Sequence, residues 1–206
     1  MSADDITTRF GLLRHAETLW NREKRIQGQL DSPLTPAGAV QASKWGHILN
    51  SVSWKRIITS DIGRAMHTAD NINATLVAPV STDSGLREQN WGRWSGKTMA
   101  EATAEAVEIM PGYESAGWNF RPPGGESRRD VRDRSMDALQ SAAARWPGET
   151  ILVVAHEGVI KCLIYYLHNR RFLPSEPRII KPYHLHWLLC KDRKLGIELI
   201  NAIPLP

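Results

Sequence analysis

Leu12-Leu13-Arg14-His15-Ala16-Glu17 is the most informative stretch of this sequence, and it continues an apolar run that begins at Phe10. The run from Phe10 to Leu13 predicts a buried β-strand. Open α/β sheets bind their ligands at the carboxyl ends of their strands, which is where Arg14 and His15 would lie. The pair is therefore a candidate for a functional site, and a surface Arg-His pair that only ends a strand is the alternative.

Strands and helices are predicted to alternate on both sides of this stretch. The apolar and turn patterns predict strands at residues 9–14, 56–59, 78–81, 150–155, 184–190 and 195–200. They also predict four helices. The first runs from Pro36, capped by Thr35, to about Leu49, and the second follows a cap at Ser60 or Asp61. The third runs from Gly125 or Glu126 to near Trp146, and the fourth covers residues 159–167. This alternation predicts an α/β fold, namely a three-layer α/β/α sandwich with a mostly parallel central sheet.

The length of 206 residues fits a single domain over residues 1–206. The region from about residue 91 to residue 121 lacks a strong pattern and contains Pro111-Gly112 and Gly117-Trp118. We therefore predict that this region is an insertion or lid over the active site and not a separate domain.

Composition limits the classes of protein to be considered. Hydrophobic residues make up 42% of the chain and charged residues 23%, as in ordinary globular proteins. No apolar run approaches the length that spans a bilayer, and Met1-Ser2-Ala3-Asp4-Asp5 lacks the basic and apolar regions of a secretory signal. Cys162 and Cys190 lie far apart in apolar surroundings, which favours buried thiols over a disulfide. These features favour a cytoplasmic protein that makes no membrane contact.

The net charge of +4 raises the question of nucleic-acid binding. In the densest basic segment, from Arg121 to Arg134, the acidic residues Glu126, Asp130 and Asp133 alternate with the basic ones. Alternating charges on a helix are typical of a solvated face with local ion pairs. Nucleic acid is therefore not the favoured partner.

Three further segments accompany the Arg14-His15 pair, and the set resembles the histidine phosphatase superfamily, also called the phosphoglycerate mutase-like family. The segments follow the family's order and are Leu13-Arg14-His15-Ala16-Glu17 with Asn21, Gln27-Gly28 and Leu34-Thr35-Pro36-Ala37-Gly38; Thr59-Ser60-Asp61-Ile62-Gly63-Arg64-Ala65-Met66-His67-Thr68-Ala69; Leu86-Arg87-Glu88 with Trp91-Gly92-Arg93-Trp94-Ser95-Gly96; and Val153-Val154-Ala155-His156-Glu157-Gly158. A softer fifth match is Gly124-Gly125-Glu126-Ser127. The resemblance implies a phosphoglycerate mutase-like fold and phosphoryl transfer through a histidine.

Phosphoryl transfer needs positioned positive charge, because the transferring group spreads negative charge over its oxygens. Arg14 and Arg64 can supply this charge, since a guanidinium binds phosphate oxygens bidentately and stays protonated. Arg64 also lies in the first turn of its predicted helix, whose dipole favours an anion. Asn21 offers a neutral donor, and the resemblance adds Gln27 and Gly28 to the phosphate-binding set. A solvated surface arginine is the alternative for Arg64.

Three residues are candidates for catalysis. His15 is the candidate nucleophile that would form a phosphohistidine, since the arginines near it favour the neutral imidazole that attacks phosphorus. The resemblance implies that His156 is the second histidine of the site and hydrogen-bonds the phosphoryl oxygens, with a buried structural histidine as the alternative. Glu88 is the candidate general acid for the leaving oxygen and then the base for the attacking water.

The segment Ala155-His156-Glu157-Gly158 departs from the family pattern, in which a glycine commonly follows the histidine. Glu157 either places negative charge near the phosphate or points away from it as a first-turn acid of the next helix, and the second interpretation is favoured. No group of residues has convincing metal-ligand spacing, His184 and His186 included. The family's chemistry requires no metal, so we expect neither a metal nor another cofactor.

The interval between Glu88 and His156 is compact, whereas the family's mutases usually have a longer insertion there. With its segment Pro122-Pro123-Gly124-Gly125-Glu126-Ser127, the sequence is most similar to the small bacterial phosphatases, including α-ribazole phosphatase-type members. We therefore expect a metal-independent phosphomonoesterase that acts through a phosphohistidine on a small phosphorylated metabolite. Cofactor-dependent phosphoglycerate mutase-type transfer and a non-catalytic phospholigand-binding module on the same fold stay open, as do the physiological substrate and the oligomeric state.

Overall fold

The computed structural model describes residues 6–109 and 112–206, and its central element is a six-stranded sheet of strand order β3-β2-β4-β1-β5-β6. The strands are β1 (Thr8–Arg14), β2 (Arg56–Thr59), β3 (Val80–Thr82), β4 (Thr150–Ala155), β5 (His184–Lys191) and β6 (Lys194–Pro204). The α-helices are α1 (Leu19–Arg22), α2 (Pro36–Leu49), α3 (Gly63–Leu76), α4 (Met99–Ile109), α5 (Arg128–Arg145) and α6 (Glu157–Leu167). The first four strands of this order are parallel to one another, and β5 and β6 are antiparallel to their neighbours. The predicted α/β fold with a mostly parallel sheet is confirmed.

Helices cover both faces of the sheet, because the central strands are apolar on both faces. In β4, Ile151 and Val153 pack in one cluster with residues of α5 and α6, whereas Leu152 and Val154 pack in a second cluster with residues of α2 and α3. All four side chains are fully buried. A continuous apolar run in a strand is what burial on both faces requires, and the result is the three-layer arrangement.

Two helices begin later than predicted. The N-cap of α3 is Ile62, not Ser60 or Asp61, because those two side chains have other partners: the Ser60 hydroxyl contacts His156, and the Asp61 carboxylate pairs with Arg87. The helix predicted to open at Gly125 or Glu126 is capped instead by Ser127. Its hydroxyl accepts from the Asp130 amide and the Asp130 carboxylate accepts from the Ser127 amide, which is a capping box.

Other predicted boundaries shift by four residues or fewer, and the largest shift is the end of β6 at Pro204, where residue 200 was predicted. Helix α6 begins at Glu157, two residues before its predicted start, and β3 covers 80–82 where 78–81 was predicted. The closing hairpin is confirmed, and its two-residue turn has positive φ at Asp192 (50°) and Arg193 (59°). Two positive φ angles match the right-handed twist of the strands that such a turn joins.

Residues 91–121, whose sequence lacks a strong pattern, contain α4 and a 3-10 turn over Tyr113–Asn119. Pro111 lies outside the described residues. Helix α4 buries Ala102 and Ala106 against Trp94 and Phe120, so its apolar stripe consists of small residues that give a weak hydrophobic pattern. The prediction that this region is an insertion or lid stays a prediction.

The predicted local ion pairs of the basic segment are present, as Arg121 pairs with Asp130 and Arg134 with Glu126. Cys162 and Cys190 are buried free thiols, as predicted. Among the described residues, no helix has both the length and the apolar character needed to cross a bilayer. Residues 1–5, which bear on the prediction about a secretory signal, lie outside the described residues.

Candidate active site

Three neighbouring parallel strands end at one edge of the sheet and bring the candidate residues together. The His15 amide donates to the Ala155 carbonyl (3.0 Å), and the Ser60 amide donates to the Val154 carbonyl (3.0 Å). His15 follows β1 and His156 follows β4, so the strand register places their rings side by side, with centroids 5.3 Å apart and planes tilted by 60°. The two candidate histidines therefore meet as predicted.

His15 is buried and has a defined tautomer. Its Nδ1 lies 2.8 Å from the Ala16 carbonyl oxygen, which can only accept, so Nδ1 holds the proton. Nε2 is then the basic nitrogen, and it accepts from Arg64 Nε at 3.2 Å. Burial, followed by the charges of Arg14 and Arg64, lowers the pKa of His15 well below 6.5. The ring is neutral at neutral pH, as a nucleophilic imidazole must be.

Arg64 is fixed by α3 and by the loop at residues 28–31. Its guanidinium is 1% exposed and donates to the carbonyls of Leu30 (2.7 Å) and Gly28 (2.7 Å) in addition to His15. These contacts use three of its five N–H groups, one on each nitrogen. Nη1 also lies 3.6 Å from the Asp31 carboxylate, so the second N–H of Nη2 is the one left to bind an anion.

Arg14 contacts Glu157, and the prediction that Glu157 points away from the phosphate site is wrong. The Arg14 Nη1 to Glu157 Oε2 distance is 2.5 Å, and Glu157 also pairs with Lys161. Arg14 lies opposite Ala155 in the register of β1 and β4, so the first residue of α6 falls within its reach. Burial opposes ionisation of Glu157, yet the charges of Arg14 and Lys161 keep its pKa below the usual value. The backbone of Glu157 is helical and needs no glycine.

His156 is fully buried and is held by Ser60. Its Nε2 lies 2.9 Å from the Ser60 hydroxyl, which already accepts from the Ile62 amide (3.3 Å). We assign the Ser60 hydroxyl as the donor to Nε2, and this assignment leaves the proton of His156 on Nδ1. Burial, followed by the charge of Arg64, lowers the pKa of His156 well below 6.5. The ring is therefore neutral and presents one N–H donor.

Glu88 lies in the loop after β3 and faces the first turn of α6. Its carboxylate accepts from the Gln89 amide (2.7 Å) and from the Gly158 amide (3.2 Å). Its carbonyl accepts from Gln29 (3.2 Å) and Arg134 (3.0 Å), which fix the backbone of the loop. A Cβ at Gly158 would lie 2.2 Å from Glu88 Oε1, so only glycine leaves room for the carboxylate at this position.

The remaining predicted phosphate ligands lie in the segment after β1. Gln27 is buried, and Gly28 has a φ of 54° that favours glycine and directs its carbonyl to Arg64. The Asn21 Oδ1 accepts from the Thr18 amide (3.1 Å) in the capping box of α1. This contact fixes the side-chain amide of Asn21, whose nitrogen is the donor that the sequence predicts for phosphate.

Three buried polar atoms of these residues have no hydrogen-bond partner within the described part of the chain: Arg14 Nε, His156 Nδ1 and Gln27 Oε1. Buried polar atoms are rarely left unpaired in native proteins. Two of the three are N–H donors, and they belong to residues that flank the positive charge of Arg64. The site therefore has the composition of a pocket for a small anion.

Sequence reasoning missed two supporting residues. Ser60 was considered as a helix cap, and Arg134 was not singled out within its basic segment, although it binds the carbonyls of Gly85 and Glu88. The position of Ser60 at the carboxyl end of a strand was a signal that could have found it. No such signal marks Arg134, because it reaches the site from the middle of α5.

Within residues 6–109 and 112–206, no three histidine, cysteine, aspartate or glutamate side chains gather as metal ligands would. His184 and His186 both lie on β5, and His186 Nδ1 accepts from the Asn201 amide at 3.0 Å on the neighbouring strand. That contact gives His186 a structural role in the hairpin.

The lowered pKa values of the two site histidines predict that the free energy of unfolding depends on pH. An unfolded chain holds imidazoles with a pKa near 6.5, whereas both values are lowered in the folded protein. Below that pH the unfolded state binds more protons, so the free energy of unfolding falls by about 1.4 kcal/mol per pH unit for each histidine until the folded-state pKa is reached. Urea unfolding at about pH 6.5 and about pH 5.5 should show that His15→Asn loses roughly 1 kcal/mol less than the wild type, because the imidazole of the unfolded chain is already half-protonated at the higher pH. Equal losses would contradict this assignment.

The chain is similar to known proteins over most of its length. The profile of the histidine phosphatase superfamily (branch 1) matches residues 10–203. A probable phosphoglycerate mutase, GpmB of Salmonella choleraesuis (strain SC-B67), is 38% identical over 153 residues, which cover 74% of this chain and 71% of that protein. The structure of Bacillus stearothermophilus YhfR is 33% identical, with a TM-score of 0.80 over 93% of this chain and 96% of that one. A mycobacterial glucosyl-3-phosphoglycerate phosphatase complexed with VO3 is 29% identical, with a TM-score of 0.79 over 94% of this chain and 98% of that one.

Proposed function

The chain belongs to the histidine phosphatase superfamily, and we propose that it is a phosphomonoesterase that hydrolyses a small phosphorylated metabolite through a phosphohistidine, without a metal ion. The observation that supports this most is the neutral His15, whose basic Nε2 faces Arg64 beside His156. A nucleophile, positive charge and a neutral N–H donor then lie next to one another.

The first step is attack of His15 Nε2 on phosphorus. The P–N bond forms as the P–O bond to the leaving alcohol breaks, and the proton stays on Nδ1, hydrogen-bonded to the Ala16 carbonyl. Arg14 and Arg64 stabilise the negative charge on the equatorial oxygens, because their charge is already in place before the reaction. His156 donates its Nδ1 proton in a hydrogen bond to one of these oxygens.

Glu88 donates a proton in the first step and accepts one in the second. The protonated carboxyl donates its proton to the leaving oxygen, which departs as the alcohol. The carboxylate then removes a proton from the attacking water as the P–N bond breaks and inorganic phosphate leaves. The cycle returns Glu88 to its protonated form and His15 to the neutral imidazole.

Mutase-type transfer is the second candidate, because the sequence relative GpmB is named as a probable phosphoglycerate mutase. A mutase must return the phosphoryl group to a second hydroxyl instead of to water. The compact interval between Glu88 and His156 supports the phosphatase, since water exclusion by a longer insertion is what the family's mutases use. The name of the mycobacterial relative, a phosphatase, is consistent with this choice.

The deciding experiment measures phosphate release from a panel of phosphomonoesters in excess EDTA. We expect turnover that EDTA does not reduce, on at least one sugar, glycerol or carboxylate phosphate of the panel. Conversion of 3-phosphoglycerate to 2-phosphoglycerate without phosphate release would instead establish the mutase. Absence of both activities, together with binding of orthovanadate, would support the non-catalytic binding module.

A further inference from the structure

Glu157 contacts a residue of the candidate active site but has no part in the proposed hydrolysis. Its Oε2 accepts from Arg14 Nη1 at 2.5 Å, and its Oε1 pairs with Lys161, one turn further along α6. Each oxygen of the carboxylate thus has its own cation. The two ion pairs hold the carboxylate between them, so Arg14 is tied to the start of α6.

The ion pair between Arg14 and Glu157 contributes little to the stability of the fold. The two side chains are 23% and 42% exposed, respectively, and ion pairs that water reaches are weak because it screens both charges. An acidic residue in the first turn of a helix interacts with the helix dipole without any such partner. What the contact fixes is the orientation of the Arg14 guanidinium.

Three other arginines of this protein show which edge a guanidinium presents to an oxyanion. In each of them, Nε and Nη2 donate to the two oxygens of one carboxylate, in the pairs Arg9–Glu198, Arg56–Glu149 and Arg87–Asp61. The N–H bonds of these two nitrogens are parallel, so this edge matches two oxygens of one anion. A phosphoryl group presents its oxygens in the same way.

This edge is open in Arg14. Glu157 takes Nη1, the nitrogen that the edge does not use. Nε is buried, and no hydrogen bond within the described residues uses Nε or Nη2 of this arginine. Glu157 therefore holds Arg14 by one nitrogen and leaves its bidentate edge available to an anion.

The charge of Arg14 acts on both site histidines. Arg14 ends β1 and directly precedes His15. Burial is the largest cause that lowers the pKa of His15, and the charge of Arg14 is the next. Burial, and then the charges of Arg64, His15 and Arg14, lower the pKa of His156. The guanidinium is thus within electrostatic range of both rings, as a group that binds the reacting phosphoryl must be.

We propose that Glu157 is a positioning residue, which binds Nη1 of Arg14 and so holds the Nε–Nη2 edge ready for the equatorial oxygens of the phosphoryl group that His15 attacks. This inference rests on the proposed function, because it requires Arg14 to bind the reacting group. It assigns a role to the glutamate that follows His156 in this sequence. A functional group held by a supporting contact needs no reorientation when its ligand arrives.

The variants Glu157→Gln and Glu157→Ala separate orientation from charge. Both remove the negative charge, but only glutamine keeps an oxygen at the same reach that can accept from Arg14 Nη1. We expect P–O cleavage in Glu157→Ala to be about 10-fold slower than in Glu157→Gln, as when a partner that orients a metal ligand is removed. The pre-steady-state burst of p-nitrophenol from p-nitrophenyl phosphate measures this rate. Equal rates in the two variants would overturn the inference, because the accepting oxygen would then not hold Arg14.

The loss in Glu157→Ala should not depend on the leaving group. Arg14 acts on the equatorial oxygens, so the release of alcohol from an alkyl phosphate should slow by the same factor as the release of p-nitrophenol. Glu157 adjoins Gly158, whose amide binds the Glu88 carboxylate. A larger loss on the alkyl phosphate would mean that the substitution acts through Glu88, and the inference would be wrong.

Glu198→Gln and Glu198→Ala are the matched controls. Glu198 also binds an arginine of β1, but this arginine is Arg9, near the opposite end of the strand. Both control variants should cleave the two esters at the wild-type rate. A lower Tm of Glu157→Ala with unchanged P–O cleavage would show that Glu157 only stabilises α6, which would equally overturn the inference.

The two proposals fail in different ways. If no ester is hydrolysed, the proposed function is wrong, and calorimetric binding of orthovanadate still tests the contact. Weaker binding of orthovanadate to Glu157→Ala than to Glu157→Gln would support the positioning of Arg14, since the two variants have the same charge. Equal binding to both variants would refute it.

Discussion

His15→Ala is expected to lower kcat by roughly 10⁴–10⁶-fold, the scale observed when the nucleophile of a covalent mechanism is removed. The variant lacks the nitrogen that forms the bond to phosphorus, and no other side chain of the site can replace it. His156 is the nearest ring, but its Nε2 is occupied by Ser60 and its Nδ1 holds a proton. The remaining activity would come from the positive charge of the arginines alone.

The measurement combines steady-state rates with trapping of the phosphoenzyme. Wild-type protein mixed with a ³²P-labelled ester and quenched in alkali should retain label on a histidine, because phosphohistidine survives base and is lost in acid. His67→Ala is the matched control, since His67 is an exposed histidine on α3, three residues from Arg64. It should label and turn over like the wild type. Labelling of His15→Ala at the wild-type level would contradict the assignment of the nucleophile.

Loss of activity in His15→Ala must be separated from loss of the fold. Removing the ring leaves Arg64 Nε without its partner, although the guanidinium keeps the carbonyls of Gly28 and Leu30. A buried group that loses one hydrogen-bond partner costs about 1–3 kcal/mol. Thermal unfolding of the variant should therefore show a lower Tm but a cooperative transition.

The sheet and its two central strands could be predicted from the sequence because their signal is local. Residues 150–155 form a continuous apolar run, and this run is β4 without any shift of boundary. The edge strand β3 was misplaced by about two residues because it is short and half-exposed, so its pattern is weak. Helix α4 was missed for a similar reason, since alanines form its buried stripe.

The site residues could be predicted in kind but not in their contacts. Arg14 and His15 end a strand, and this placement follows from the pattern alone. The contact between Arg14 and Glu157 does not, because it joins residues 143 positions apart through the register of β1 and β4. An acidic residue in the first turn interacts favourably with the dipole of any helix. The sequence around Glu157 therefore indicated no specific partner for it. Contacts across neighbouring strands need the sheet order, which the sequence did not provide.

Glu88→Gln is expected to have the second-largest effect, and its size should depend on the leaving group. For an alkyl phosphate, whose alcohol needs a proton to depart, we expect the rate of alcohol release to fall roughly 10²–10⁴-fold, as for other general acids. For p-nitrophenyl phosphate, whose phenolate leaves unprotonated, the burst of p-nitrophenol should be nearly unchanged. The pre-steady-state burst is measured because it reports P–O cleavage apart from the later attack by water.

Gly158→Ala tests the same assignment without altering the carboxyl group. A methyl group at this position would lie 2.2 Å from Glu88 Oε1 and must displace the carboxylate from the leaving oxygen. The variant should therefore reproduce the dependence on the leaving group, whereas Gly196→Ala, whose methyl meets Leu189 at an ordinary 3.4 Å, should not. Equal losses on both esters in Glu88→Gln and in Gly158→Ala would mean that Glu88 positions the loop and does not transfer the proton. A selective loss in both variants would establish that the proton comes from this carboxyl group, since one substitution replaces the group and the other displaces it.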